Sequence, residues 1–188
     1  MKGRLMPKLT DQEFDEFLAT PGLYARFATV DVDGFPRVIP IIFFHHERKI
    51  KFTLRPVGAP LENVRRDPKV ALSIDEPTDP QRRVNIQGIA QIVYEPGSED
   101  QWLDVYRQML LKTATPEFVD DYIKGSAEAG LRRPWLQVDL DDPTTRVKTW
   151  RLNIEGEERD RPVPMARKYL QNWDGSAPAN SENLPMSR

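Results

Sequence analysis

Tyr24-Ala25-Arg26-Phe27-Ala28-Thr29-Val30-Asp31-Val32-Asp33-Gly34-Phe35-Pro36-Arg37-Val38-Ile39-Pro40 is the stretch whose reading decides the fold. β-branched and aromatic residues fill both arms, and Asp33-Gly34 between them is a tight-turn dipeptide. The stretch therefore reads as two antiparallel strands, 24–31 and 35–44. A polar loop through His45, His46 and Glu47 leads to residues 50–55. There Ile50, Phe52 and Leu54 alternate with Lys51, Thr53 and Arg55, the period of a half-buried strand. The links are short, so the three strands form an antiparallel meander.

Working outward, Thr10 and Glu13 make a capping box ahead of Phe14, Phe17 and Leu18, and Pro21-Gly22 ends that helix, predicted over 10–20. Downstream, 61–66 allows a short helix, 70–75 a strand, and 82–94 a long strand. Gly88 inside the long strand predicts a bulge or a sharp bend. Ser98 with Gln101 predicts a second capping box, with Trp102, Val105, Tyr106 and Met109 along one helix face. Thr115-Pro116 opens another helix carrying Phe118, Tyr122 and Ile123. Residues 135–140 and 146–153 return to strand patterns. After Ile154 the chain turns charged and proline-rich, with a short docked helix predicted over 167–173 and a disordered end. The division expected is a domain over 1–155, with a helical insert over 98–130, and a polar extension over 156–188. The fold class is mainly β with α additions: a six-stranded antiparallel barrel with inserted helices.

Composition removes several classes of function. With no cysteine, disulfides, thiolate metal sites, iron–sulfur clusters and thiol nucleophiles are excluded. Lys and Arg number 27 against 29 Asp and Glu, for a net charge of −2, which argues against a phosphate-backbone binder. The longest apolar run, 38–44, is far short of the roughly 20 residues that span a bilayer, and residues 1–10 hold no signal-like apolar run. The expectation is a cytoplasmic protein that engages neither membrane nor nucleic acid.

Catalytic signatures are sparse. His45 and His46 are adjacent, so on a strand they face opposite ways, and both are read as solvated turn residues. The carboxylates are scattered, and no glycine-rich loop joins a strand to a helix as a phosphate cradle requires. Arginines carry more information. Arg37, Arg55, Arg65, Arg66, Arg82 and Arg83 fall at strand ends and turns, where guanidinium groups either converge on an anion or serve as solvated edge charges. Trp102, Trp135 and Trp150 read as core or interface anchors.

The hairpin over 24–40 resembles the opening of the pyridoxamine 5′-phosphate oxidase-like, flavin-binding split β-barrel family. Three further pieces follow in that family's order: Ile50-Lys51-Phe52-Thr53, then residues 63–72 around Asn63-Val64-Arg65-Arg66-Asp67-Pro68, then residues 84–93 around Asn85-Ile86-Gln87-Gly88. The resemblance implies a homodimeric split barrel with cofactor sites shared between two copies. It also implies FMN as cofactor first, the deazaflavin coenzyme second and haem third. Carried across, the cofactor contacts fall on Arg37, Val38, Ile39 and Pro40, on Thr53, Leu54 and Arg55, on Gly58, Pro60 and Asn63 with Arg65 and Arg66, and on Gln87. One departure stands out. Where the family commonly has Ser-Arg-Lys or Ser-x-Lys holding the cofactor phosphate, this chain has Gly58-Ala59-Pro60. The function so implied is an oxidoreductase moving hydride to or from a small organic substrate. The alternative is a non-redox split barrel that binds haem or another anionic ligand.

Overall fold

The computed structural model describes residues 8–151, apart from Asp79. The expected hairpin forms: β1 (Ala25–Val30) pairs antiparallel with β2 (Pro36–Ile41), from Ala25↔Ile41 to Val30↔Pro36. The second predicted strand is broken at Ile42. Its first part stays beside β1, while β3 (Phe43–His46) moves away to pair with β4 (Lys49–Thr53). The histidines thus belong to a strand end, and the turn is made by Glu47 and Arg48, both with positive φ.

A second transfer between half-sheets occurs along β6 (Arg83–Tyr94). Its first half pairs with β5 (Lys69–Asp75), and its second half pairs with β7 (Trp135–Asp139). The strand β8 (Arg146–Trp150) lies beside the first half of β6. The pairing path is β2-β1-β5-β6-β7-β4-β3, and β3 follows β2 through Ile42, so the path returns to its start. This is an antiparallel split barrel. It has eight strand segments among the described residues where the fold class named six: the seven strand stretches read from the sequence are all present, and the one over 35–44 divides in two at Ile42.

The barrel interior follows from the alternation. Buried and exposed positions interchange along β1, β4 and β5, and the inward set includes Phe27, Ile50, Phe52, Leu72 and Ile74. Phe27 and Phe52 meet across the interior with ring centres 5.0 Å apart. At about 25 cal/mol per Å² of apolar area, this cluster is the main stabilising term. Gly88 makes no bulge: the β5–β6 ladder runs through Val70↔Gly88, the register shift lies at Ile92/Tyr94, and the glycine sits where β6 leaves β8 at Gln87 and meets β7 at Ala90. Its role is close approach. A Cβ there would stand 2.9 Å from both Thr145 Oγ1 and Val138 Cγ1.

Helix α1 (Asp11–Ala19) begins as predicted. The Thr10 N–H donates to Glu13 Oε2 (2.7 Å), the Glu13 N–H donates to Thr10 Oγ1 (3.2 Å), and Phe14, Phe17 and Leu18 are buried against the barrel. Helix α2 (Ala59–Arg66) buries Leu61, Asn63 and Val64. The second capping box does not form. Ser98 makes no cap bond, Glu99–Gln101 is a single tight turn, and α3 (Leu103–Leu111) starts after it. The Glu99 carboxylate accepts instead from the backbone N–H groups of Gly97 (3.3 Å) and Arg133 (2.7 Å). Helix α4 (Pro116–Glu128) starts where expected, with Pro116 in its first turn and Thr115 Oγ1 accepting from the Phe118 N–H. These two helices share a separate apolar cluster with Trp135, built on Trp102, Tyr106, Met109, Leu110 and Val119. The docked helix predicted over 167–173 and the extension over 156–188 lie outside the described residues.

Lys112 ties α3 to the barrel. Its ammonium donates to the carbonyls of Leu18 (2.8 Å) and Phe43 (3.3 Å) and stands 3.9 Å from the centre of the Phe43 ring. Burial lowers its pKa from 10.5 to about 8. The folded protein therefore releases this proton at a lower pH than the unfolded chain does. Between those two values the unfolded state binds more protons, so this group makes stability rise as pH climbs through the window. Urea denaturation of the parent and of Lys112→Met at pH 7 and pH 10 should show the parent gaining on the variant at the higher pH. A pH-independent difference would mean the ammonium is not desolvated.

Candidate functional site

The end of β2, the end of β4 with the loop entering α2, and the two insert helices border a half-open cavity of about 650 Å³. Its barrel wall is Ile39, Pro40 and Ile41 from β2, Thr53, Leu54 and Arg55 at the end of β4, and Gly58 and Pro60 at the start of α2. The opposite wall is Tyr106, Met109 and Leu110 of α3, Tyr122 of α4, and Arg133 just ahead of β7. Mostly apolar walls with a few convergent polar groups are the usual character of a small-molecule site.

Local chemistry explains these positions. Pro56 ends β4, and Gly58, at φ 138°, turns the chain into α2 with no side-chain cap. Thr53 fixes the strand end, its hydroxyl donating to the Pro134 carbonyl (2.8 Å). Arg55 is exposed at the cavity and has no carboxylate partner among the described residues. Across from it, Arg133 donates from Nη2 to the Tyr122 hydroxyl (2.8 Å), while its Nε is buried without a hydrogen-bond partner. The Tyr122 hydroxyl lies near that of Tyr106 and influences its ionisation. Burial above all, with Tyr122 adding and Arg133 opposing, raises the Tyr106 pKa well beyond the ordinary phenol range, so its hydroxyl keeps its proton.

The cavity collects Ile39, Pro40, Thr53, Leu54, Arg55, Gly58 and Pro60 of the residues predicted from sequence. The others go elsewhere. Arg37 forks onto Asp31 across the hairpin, with contacts of 2.7–3.0 Å. Asn63 is buried and donates to Thr29 Oγ1 (3.0 Å) and Asp31 Oδ1 (2.6 Å). The Arg37 and Asn63 hydrogen bonds hold the Asp31 carboxyl below its usual range. Arg65 pairs with Glu95, and Arg66 donates to the Val30 carbonyl. Val38 and Gln87 line a separate hollow of about 360 Å³ over β1, β5, β6 and β8. Arg82 is held by Glu76, so the arginine doublets do not converge on one ligand. Sequence reading missed Tyr106, Met109, Tyr122 and Arg133 as site residues. The tyrosines carried a faint signal, being hydroxyl-bearing members of otherwise apolar helix faces, whereas nothing local marked Arg133.

The histidines do not join the cavity. His46 is exposed, but His45 is not the solvated turn residue expected: it packs under α1 against Phe14, and burial lowers its pKa. Neither lines either of these two hollows. Among those residues no group of three His, Asp or Glu side chains could hold a metal ion, and no helix is long and apolar enough to cross a membrane.

Comparison with known proteins agrees with this architecture. Among solved structures, an FAD-binding protein from Mesorhizobium loti is 17% identical, with TM-score 0.56, covering 80% of this chain and 100% of that one. An F420 reductase is 22% identical, with TM-score 0.51 and coverage of 66% and 90%. The haem storage protein HutZ from Vibrio cholerae is 21% identical, with TM-score 0.54 and coverage of 73% and 94%. At these identities the likeness is one of fold. No curated protein matches the chain. The family model described as pyridoxamine 5′-phosphate oxidase matches residues 10–138, from the capping box of α1 through β7. On that match and the antiparallel order of its strands, the chain belongs to the pyridoxamine 5′-phosphate oxidase family of split barrels.

Proposed function

We propose that this protein is an oxidoreductase that holds a flavin-type cofactor, FMN in first place and the deazaflavin coenzyme in second, in the 650 Å³ cavity. The observation that carries the reading is the gathering of Ile39, Pro40, Thr53, Leu54, Arg55, Gly58 and Pro60 on one wall of that cavity. The residues fit such a group: apolar side chains of β2 and α3 line the cavity, and exposed Arg55 adds a cation to that lining. When bound, a flavin-type cofactor supplies the hydride chemistry. The chain's own part is to bind and exclude water. Ile39, Pro40, Met109 and Leu110 make the apolar walls, Arg55 offers a charge to the phosphate side, and protonated Tyr106 offers a hydrogen-bond donor. Two of the neighbours, an F420 reductase and an FAD-binding protein, support a redox role.

The proposal includes a second copy of the chain. Strand β2 is exposed along nearly its whole length, with Val38 at 59% and neighbouring Phe35 at 71% exposure. An apolar strand left open in this way is a natural seat for a partner barrel. The alternative reading, a non-redox split barrel binding an anionic ligand, is favoured by one observation only: Gly58-Ala59-Pro60 brings no cation to the start of α2.

An absorbance spectrum of purified protein, then fluorescence titration with FMN and with the deazaflavin coenzyme, tests the reading. Micromolar or tighter binding of one cofactor, by a species of twice the 21.7 kDa chain mass in light scattering, is expected. No binding of either would sink the redox assignment.

A further inference from the structure

We infer that Arg55 and Arg133 form a two-arginine oxyanion site at the cavity, taking one phosphate or carboxylate group of the bound ligand. This rests on the reading of the cavity as a ligand site and narrows what that ligand must carry.

The juxtaposition comes from register. β4 and β7 pair from Lys49↔Asp139 to Thr53↔Trp135, and the Thr53 hydroxyl bond to the Pro134 carbonyl keeps the chains together one step further. Two residues past the last pair in each direction stand Arg55 and Arg133, and both line the cavity. A buried guanidinium N–H without an acceptor carries a desolvation cost. Most other arginines among the described residues are paired, Arg66, Arg83 and Arg146 being the ones without a carboxylate. Arg26, Arg37, Arg48, Arg65, Arg82, Arg107 and Arg132 each have a carboxylate. Arg55 and Arg133 have none among the described residues, and the Nε of Arg133 is buried with no acceptor.

Arg133 is also held in place rather than left loose. Glu99 grips its backbone N–H (2.7 Å), leaving its guanidinium to Tyr122 (2.8 Å) beside the apolar side chains of Met109 and Leu110. A preset guanidinium beside apolar walls loses little freedom on binding an oxyanion and interacts strongly with it. An oxyanion seated between the two arginines would be matched by both charges and give the Arg133 Nε its acceptor.

The group has two sources, the phosphate of a cofactor or an acidic group of a substrate, and one experiment separates them. Inorganic phosphate, FMN and riboflavin are titrated into the full chain at constant ionic strength, following tryptophan fluorescence. The proteins are the parent, Arg55→Gln, Arg133→Met and the control Arg107→Gln, with urea denaturation run on each. Arg55 is exposed, so its variant keeps the test alive if Arg133→Met fails to fold. Phosphate binding should weaken at least tenfold in either site variant and be unchanged in the control. If FMN outbinds riboflavin in the parent and loses that margin in the variants, the cofactor phosphate is the source. If FMN and riboflavin bind alike throughout while phosphate stays sensitive, the substrate is the source. Phosphate binding that both site variants leave unchanged, or that the parent lacks, would overturn the inference. Sensitive phosphate binding with no flavin binding at all would uphold this site and reject the redox function.

Discussion

Trp135→Ala is expected to lower stability by about 3–5 kcal/mol, the usual range for truncating a buried tryptophan, and to abolish high-affinity ligand binding with it. Trp135 is the first residue of β7 and is 3% exposed. Its backbone pairs with both Thr53 and Tyr94, and its ring stacks on Trp102 at 4.9 Å and meets Tyr106 edge-on at 6.5 Å. One side chain thus joins the barrel to the insert helices. Removing it leaves a void that Trp102 and Tyr106 cannot both fill, and it loosens the wall that carries Tyr106 and Met109. Urea denaturation and a flavin titration of the same sample check both parts. Trp135→Phe should recover a good share of the stability. A loss below about 1 kcal/mol for the alanine variant would show that the helices dock by other contacts.

Ala59→Arg should strengthen FMN binding about tenfold to a hundredfold and leave riboflavin binding nearly unchanged. Ala59 is the first residue of α2, flanked by Gly58 and Pro60 on the cavity wall. It occupies the place where the family's loop commonly carries a cation. A charged hydrogen bond to phosphate is worth about 1.5–3 kcal/mol, or one to two decades of affinity. The position is the first of a helix and only half-buried, so the longer side chain should not disturb the core. Titration of FMN and riboflavin against the parent and the variant measures the difference directly. A variant that folds normally but binds both flavins as the parent does would place the phosphate away from the start of α2, and would turn attention to Arg55 and Arg133.

The hairpin around Asp33-Gly34, the capping box at Thr10, the alternation through Ile50, Phe52 and Leu54, and the helix start at Thr115-Pro116 are all legible in the sequence. Each depends on residues within about one turn or one strand length of each other. The departures have a common physical origin. Nothing in the apolar run over 38–44 announces a break at Ile42, because the transfer between half-sheets is decided by which distant strand each half finds. Gly88 looks like a bulge residue, yet it is required by the approach of Thr145 and Val138, residues about 50 positions away. His45 looks like a solvated turn residue until α1 packs over it. Ser98 and Gln101 fit a capping box, but the Glu99 carboxylate engages Arg133 and the chain tightens into a single turn instead.

The candidate site divides in the same way. Its barrel wall, from Ile39 and Pro40 to Thr53, Arg55 and Gly58, lies on strand ends and a loop whose order along the chain is the order of the fold. Local pattern and family resemblance therefore reach it. Arg37, Asn63, Arg65 and Arg66 could not be separated from that set by sequence, since whether an arginine faces a ligand or a carboxylate depends on where Asp31 and Glu95 come to rest. The helix wall is purely tertiary. By itself the sequence determined the strand-and-helix grammar of a split barrel, because hydrophobic period, turn dipeptides and caps act over short range. Only the tertiary structure decided that Arg55 and Arg133 line one cavity, because the antiparallel register that joins Thr53 to Trp135 rests on pairings that no local pattern encodes.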